Sequence, residues 1–270
     1  HKVRLHNGAE MPQFGLGVYK IEDGKEVVDT VKAALDLGYR SIDTAALYGN
    51  EEGVGQGIKE SGIPREELFV TSKVWNTDQG YESTLAAFEK SLKKLDIEYL
   101  DLYLIHWPVE GKYIETWKAL EKLYQEGKVK AIGVSNFQIH HLQDLMANTT
   151  EKPVVNQVEL HPSLIQEEVR AYCKEMDIAV EAWAPLGRGK LMEEPTLLSI
   201  GEKYGKSSAQ VILRWHLQND VIIIPKSSKL ARLKENADIF DFALSTEEMT
   251  RISQLNKNER VGPDPDNFSF

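Results

Sequence analysis

Residues 68–106 read "LFVTSKVWNTDQGYESTLAAFEKSLKKLDIEYLDLYLIH". A short apolar run, 68–73, leads into an amphipathic stretch, 81–95, and then into a second apolar run, 100–106. Brief runs without alternation are the mark of strands covered on both faces, and the long stretch between them has helical spacing. The pattern recurs along the chain. Apolar runs stand at 14–19, 39–43, 68–73, 100–106, 129–136, 153–160, 178–185 and 220–227, with helix candidates at 25–37, 81–95, 114–125, 138–146 and 207–217 between them. In the first helix Val27, Val31, Ala34 and Leu35 recur at three- and four-residue spacing. Eight strand–helix units in 270 residues predict an α/β chain folded as a (β/α)8 barrel of the TIM type. A doubly wound open sheet is the alternative that pattern alone leaves. No linker or low-complexity segment interrupts the units, so residues 1–270 are expected to form one domain. The opening "HKVRLHNGAEMP" predicts a short N-terminal β-hairpin turning at Asn7-Gly8.

Composition narrows the partners. A net charge of −10 disfavours nucleic acid, whose phosphates need a basic footprint. No apolar run is long enough for a bilayer-spanning helix and no signal-peptide pattern opens the chain, so no membrane partner is expected. The one cysteine, Cys173, excludes an internal disulfide and suits the cytoplasm, where the chain is expected to work; it reads as a helix-packing residue. The seven histidines show no zinc spacing, and adjacent His140 and His141 are not expected to share a helix face, so no metal site is expected.

Polar residues stand where the apolar runs end: Asp43, Lys73, His106, Ser135, Asn136, Gln157, Trp183, and Lys226 with Ser227. In a barrel these ends converge on one face, where active sites form. Asp43, Lys73 and His106 come from successive strands, and Tyr48 follows Asp43 in the loop "IDTAALYGNE". A free tyrosine, with a pKa of roughly 10, is a poor acid at neutral pH, but a cation beside it stabilises its phenolate. Lys73 is the expected cation, Asp43 the carboxylate that orients it, and His106 a donor toward developing negative charge. None of these groups is a reductant, so redox chemistry here requires a cofactor. The stretch "IPKSSKLARLKEN", 224–236, follows the last strand and puts Lys226, Lys229, Arg232 and Lys234 at the opening of a helix, which Ser227 and Ser228 are expected to cap. Such a basic helix start suits phosphate. "GVGQG", 53–57, lacks the spacing of a dinucleotide-binding loop and reads as small residues that let a helix pack closely.

The motifs "IDTAALYGNE", "TSKVW", "LIHWP", "AIGVSNF", "VVNQVELHP" and "IPKSSKLARLKEN", in this order, closely resemble those of the aldo-keto reductases. The overall pattern resembles the bacterial branch that includes 2,5-diketo-D-gluconate and glyoxal or methylglyoxal reductases. The resemblance implies a barrel that binds NADPH and reduces small aldehydes, dicarbonyls or keto-sugars, and a monomer is expected. By position, it implies that Tyr48 is the proton donor, Lys73 and Asp43 its supporting pair, and His106 the residue that orients the carbonyl. Ser135, Asn136 and Gln157 match contacts to the nicotinamide carboxamide, and Trp183 stands where many relatives stack tyrosine under the ring. Leu186 and Gly187 match the loop over the pyrophosphate. Lys226, Ser227 and Arg232 match the 2′-phosphate site, Glu235 and Asn236 match the adenine contacts, and Ser228 is expected among the cofactor-binding residues. Tyr19, Trp75 and Trp107 are expected at the rim of the substrate pocket. The short "VEGKY" loop and tail imply an open pocket. Rival readings are a non-enzymatic NADPH-binding regulatory subunit and a Schiff-base aldolase on Lys73; a glycosidase would need paired catalytic carboxylates.

Overall fold

In the computed structural model, which describes residues 1–270, the hairpin strands are β1 (Lys2–Arg4) and β2 (Glu10–Pro12), paired antiparallel. Of the turn pair Asn7-Gly8, only Gly8 takes a positive φ. Eight parallel strands follow: β3 (Leu16–Gly17), β4 (Ser41–Asp43), β5 (Phe69–Val74), β6 (Leu102–Ile105), β7 (Ile132–Ser135), β8 (Val155–Glu159), β9 (Ala179–Trp183) and β10 (Ile222–Ile223). They lie in chain order, each pairing with the next. Parallel bridges Phe14–Ile223 and Gly17–Lys226 join the first strand to the last. No reversal of strand order interrupts the series, which separates this sheet from the doubly wound alternative.

The helices are α1 (Lys25–Asp36), α2 (Glu51–Ser61), α3 (Tyr81–Leu95), α4 (Tyr113–Gln125), α5 (Ile139–Asn148), α6 (Glu167–Glu175), α7 (Pro195–Tyr204), α8 (Ser208–Gln218), α9 (Leu230–Ala237) and α10 (Thr246–Ser253). The five helices expected from periodicity are present with their ends shifted by no more than two residues. Helix α6 escapes periodicity because it buries only Val169 and Cys173, too thin an apolar stripe to stand out. Burial pushes the Cys173 thiol up to about 11, so the group is an inert packing residue.

Strand parity sorts side chains into two layers. On β6, Tyr103 and Ile105 face the helices, whereas Leu102 and Leu104 join an inner cluster with Phe69, Val155 and Ile222. Leu5 and Met11 of the hairpin complete that inner cluster, so apolar packing fills the end of the barrel at which the strands begin. On β5 the same parity sends Phe69, Thr71 and Lys73 inward, while Ser72 points outward and donates to Glu51 on α2 at 2.8 Å. The opposite end of the barrel is left to polar groups.

The 53–57 glycines act as expected. A Cβ on Gly53 would meet Val27 at 2.2 Å, one on Gly57 would meet Val31 at 2.8 Å, and one on Gly55 would lie 2.1 Å from the backbone oxygen of Leu95. Gly55→Ala should therefore destabilise the fold by about 1–3 kcal/mol from overpacking, despite a helix-propensity gain near 1 kcal/mol. Urea titration measures this; a more stable variant would refute the close approach of α2 to the end of α3.

Candidate active site

Asp43 ends β4, and Lys73 is an inward residue of the neighbouring strand β5. Lys73 is wholly buried, and its Nζ lies 2.6 Å from Asp43 Oδ1 while donating to the Thr44 carbonyl at 3.0 Å. Its third contact is the hydroxyl of Tyr48 at 3.2 Å. Burial by itself would lower the pKa of this lysine, but the charges and hydrogen bonds of Asp43 and Tyr48 together outweigh burial and hold it above the ordinary range. Tyr48 lies on a short 3-10 turn, Ala46–Tyr48, directly after β4.

The phenol departs from the sequence expectation in one respect. Burial raises its pKa, and Asp43 adds to that, so together they outweigh the lowering by Lys73. The phenol thus keeps its proton at neutral pH, and Lys73 offsets a penalty instead of making the group unusually acidic. His106 follows β6, with its ring edge-on to Tyr48 at 5.8 Å and to Trp75 at 5.1 Å. Burial, reinforced by the Lys73 charge, holds its pKa well below the usual histidine value, so the imidazole is neutral. Its Nδ1 is buried without a partner.

Ser135, Asn136, Gln157 and Trp183 form a second set against the first. Ser135 Oγ donates to the Gln157 carbonyl at 2.7 Å. The Asn136 amide donates to the His106 carbonyl at 3.0 Å and accepts from Trp183 Nε1 at 2.8 Å. Asn136 and Ala184, just beyond β7 and β9, take φ of +63° and +48°. Non-glycine residues persist in that region only where their surroundings hold them there, and such strain clusters at functional sites. Gln157 reaches across the interior and donates to Asp43 Oδ2 at 2.8 Å.

Sequence reasoning missed Glu181, which accepts from the same Gln157 amide nitrogen at 2.9 Å. Strand parity could have found it, because it lies two residues before Trp183 on one strand. It also missed Arg188, whose guanidinium sits 6.0 Å over the Trp183 ring.

Leu186 and Gly187 follow β9, and Gly187 has φ +62°. At the end of β10, Lys226, Ser228, Lys229 and Arg232 are exposed, while Ser227 and Asn236 are buried and Glu235 is partly covered. The capping expectation is corrected: α9 begins after Lys229, and neither serine caps it. Ser227 Oγ instead accepts from the Lys229 N–H at 3.1 Å, one step before the helix, because the chain turns there first.

At the rim, Tyr19 lies 5.2 Å from the Tyr48 ring. Trp75 stacks on Phe270 at 5.8 Å, and Trp107 contacts both Phe268 and Phe270 at 5.2 Å. The tail therefore folds back and sets two phenylalanines against Trp75 and Trp107. A second correction concerns His140 and His141, whose rings lie 3.8 Å apart and which both approach Asp266 of the tail. His141 Nδ1 accepts the Gln138 N–H, which leaves the proton of the neutral ring on Nε2 and makes that atom a donor. Its pKa is pushed down to about 4, chiefly by burial.

The sequence from 13 to 257 matches the model of the aldo/keto reductase family. The chain belongs to that family. This aldo-keto reductase is 65% identical to the glyoxal reductase of Bacillus subtilis, over 99% of this chain and 97% of that one. It is 46% identical to a methylglyoxal reductase of Escherichia coli, over 98% and 97% of the two chains. A mutant of Gox0644 solved in complex with NADPH superposes with a TM-score of 0.96 at 47% identity, covering 100% of this chain and 99% of that one.

The buried ion pair has a consequence for stability. Removing one partner leaves an uncompensated charge, so Lys73→Met should lower the unfolding free energy by about 3–5 kcal/mol. Adding Asp43→Asn to that variant should restore part of the loss, because no lone carboxylate then remains inside. Denaturant titration of the single and double variants checks this, and strictly additive losses would contradict it.

Proposed function

We propose that this aldo-keto reductase, working as one domain, reduces aldehydes and ketones to alcohols with NADPH, and that small dicarbonyls such as glyoxal and methylglyoxal are its substrates. The observation that carries the reaction is the contact of one buried ammonium with both Asp43 and the Tyr48 hydroxyl, beside a neutral His106. The substrate class rests on likeness to the glyoxal and methylglyoxal reductases.

The residues present fit the cofactor. Lys226, Lys229, Arg232 and Lys234 are exposed and make no ion pair, although the chain carries a net charge of −10. An unpaired basic cluster at the end of β10 suits a ligand with several phosphates. Lys226, Ser227, Ser228 and Arg232 would hold the 2′-phosphate, with Glu235 and Asn236 at the adenine and Leu186 and Gly187 over the pyrophosphate. Ser135, Asn136 and Gln157 would hold the carboxamide, and Trp183 would lie flat against the ring. When bound, NADPH supplies the hydride.

The chain's own residues manage the proton. As negative charge develops on the carbonyl oxygen, Tyr48 transfers its phenolic proton to that oxygen, and Lys73 stabilises the phenolate left behind. A neutral His106 donates an N–H to the same oxygen and brings no competing charge. Tyr19, Trp75 and Trp107 shape the rim that admits the substrate.

A panel of glyoxal, methylglyoxal, keto-sugars and simple aldehydes, followed by loss of NADPH absorbance, tests the substrate class. Turnover of none of them while NADPH binds would favour a non-enzymatic cofactor-binding subunit. With the best substrate, Tyr48→Phe should lower kcat by at least about 100-fold and leave NADPH affinity near that of the native chain. Near-native turnover would remove Tyr48 from its role.

Cofactor choice is tested separately. Loss of a charge-assisted hydrogen bond, about 1.5–3 kcal/mol, means that Arg232→Ala should weaken NADPH by about tenfold to a hundredfold. NADH, which lacks the 2′-phosphate, should be unaffected. Quenching of tryptophan fluorescence by each cofactor measures both, and equal weakening would assign Arg232 to the adenine.

A further inference from the structure

Glu181 is wholly buried on β9, where Gln157 of β8 is its register partner. A primary amide has two N–H donors and one oxygen. Both Gln157 donors are engaged, one by Asp43 Oδ2 at 2.8 Å and the other by Glu181 Oε1 at 2.9 Å. Rotating the amide by half a turn would set its oxygen against the Asp43 carboxylate, which can only accept, so Asp43 fixes the orientation and Glu181 Oε1 takes the second N–H. The Gln157 oxygen is the only polar atom of that side chain left for a ligand.

We propose that Glu181 is a positioning residue: by accepting the second Gln157 N–H, it holds the Gln157 amide oxygen ready to accept from the NH2 of the nicotinamide carboxamide. The inference rests on the reading above that Gln157 holds that group. A carboxamide presents one oxygen and one NH2, so an acceptor locked in place distinguishes the two ends of the group. It thereby sets how the ring lies and which of its faces meets the substrate.

The protonation state of Glu181 suits a fixed neutral part. The charged groups that face it are Asp43 on β4 and Lys73 on β5; β8 presents the Gln157 amide, and β10 the apolar Ile222 and Ile223. Burial, then the nearby Asp43 charge, pushes its pKa up to about 8, so the carboxyl group is protonated at neutral pH. Its Oε2 makes no hydrogen bond. Glutamine is then a near-isostere that keeps the acceptor, and leucine removes it.

The test compares Glu181→Gln, Glu181→Leu and Gln157→Leu by NADPH titration of tryptophan fluorescence and by product analysis with NADPH deuterated on one face. The native chain and Glu181→Gln should bind NADPH alike and transfer from one face only. Glu181→Leu should bind about tenfold more weakly, the loss expected for one hydrogen bond at a fixed amide, and should leak transfer from the other face. In the Gln157→Leu background, Glu181→Leu should cause no further loss of affinity. If Gln157→Leu weakens NADPH but Glu181→Leu does not, the role of Glu181 is overturned while the reading of Gln157 survives. If Gln157→Leu itself leaves NADPH affinity unchanged, the reading of Gln157 fails and the proposal fails with it. Should Glu181→Leu not fold, Glu181→Gln decides alone: weakened binding in that folded variant would overturn the proposal, since it retains the acceptor.

Discussion

The ion pair between Lys73 and Asp43 is the constraint on which the polar end of the barrel depends. Both residues are within 2% of complete burial, where an isolated charge costs several kcal/mol. The pair is tolerable because every polar atom in it has partners. Lys73 Nζ meets Asp43 Oδ1, the Thr44 carbonyl and the Tyr48 hydroxyl, and Asp43 Oδ2 accepts from Gln157. These partners come from β4, from the turn after it, from β5 and, on the far side of the barrel, from β8. A one-residue slip of any of these strands would turn its contribution to the other face of the sheet.

One cation and one anion set the charge state of everything nearby. In a poorly solvated interior a further charge is costly, and the neighbours are neutral accordingly. His106 loses its proton because burial and Lys73 both oppose an imidazolium. Glu181 keeps its proton because burial and Asp43 both oppose a second carboxylate. Tyr48 stays a phenol for related reasons, with Lys73 as the one influence favouring its anion. The result is a proton donor, a neutral hydrogen-bond donor and a fixed amide around a single buried charge pair.

The two ends of the barrel divide the work. At the end where strands begin, the hairpin residues Leu5 and Met11 pack against Leu102, Leu104 and Val155, which contributes stability and no chemistry. At the other end the backbone itself is strained, with Asn136 and Ala184 at positive φ where a relaxed chain would avoid it. Glu159 ties the tail to this end by accepting from the Val261 and Gly262 N–H groups at 2.6 and 3.0 Å. Gly262 then lies so close to Trp183 that a Cβ would come within 2.4 Å of the indole. The tail is thus part of the wall that holds Trp183 in place.

The sequence by itself determined the strand–helix alternation, the five strongly periodic helices, and the positions of Asp43, Tyr48, Lys73 and His106, because these follow from local periodicity and from polar residues at strand ends. Period-two parity also carried Glu181, unread, two places before Trp183. Tertiary structure alone decided the rest. That Gln157 and Asp43 meet depends on β4 and β8 facing each other across the interior, and that Phe268 and Phe270 reach Trp75 and Trp107 depends on the path of the tail. The net upward shift of the Tyr48 pKa was equally beyond the sequence, since a neighbouring lysine is visible in a motif but the depth of burial that outweighs it is not. Local patterns specify elements and their ends; contacts between residues far apart in the chain, and the solvation they remove, exist only once the barrel has assembled.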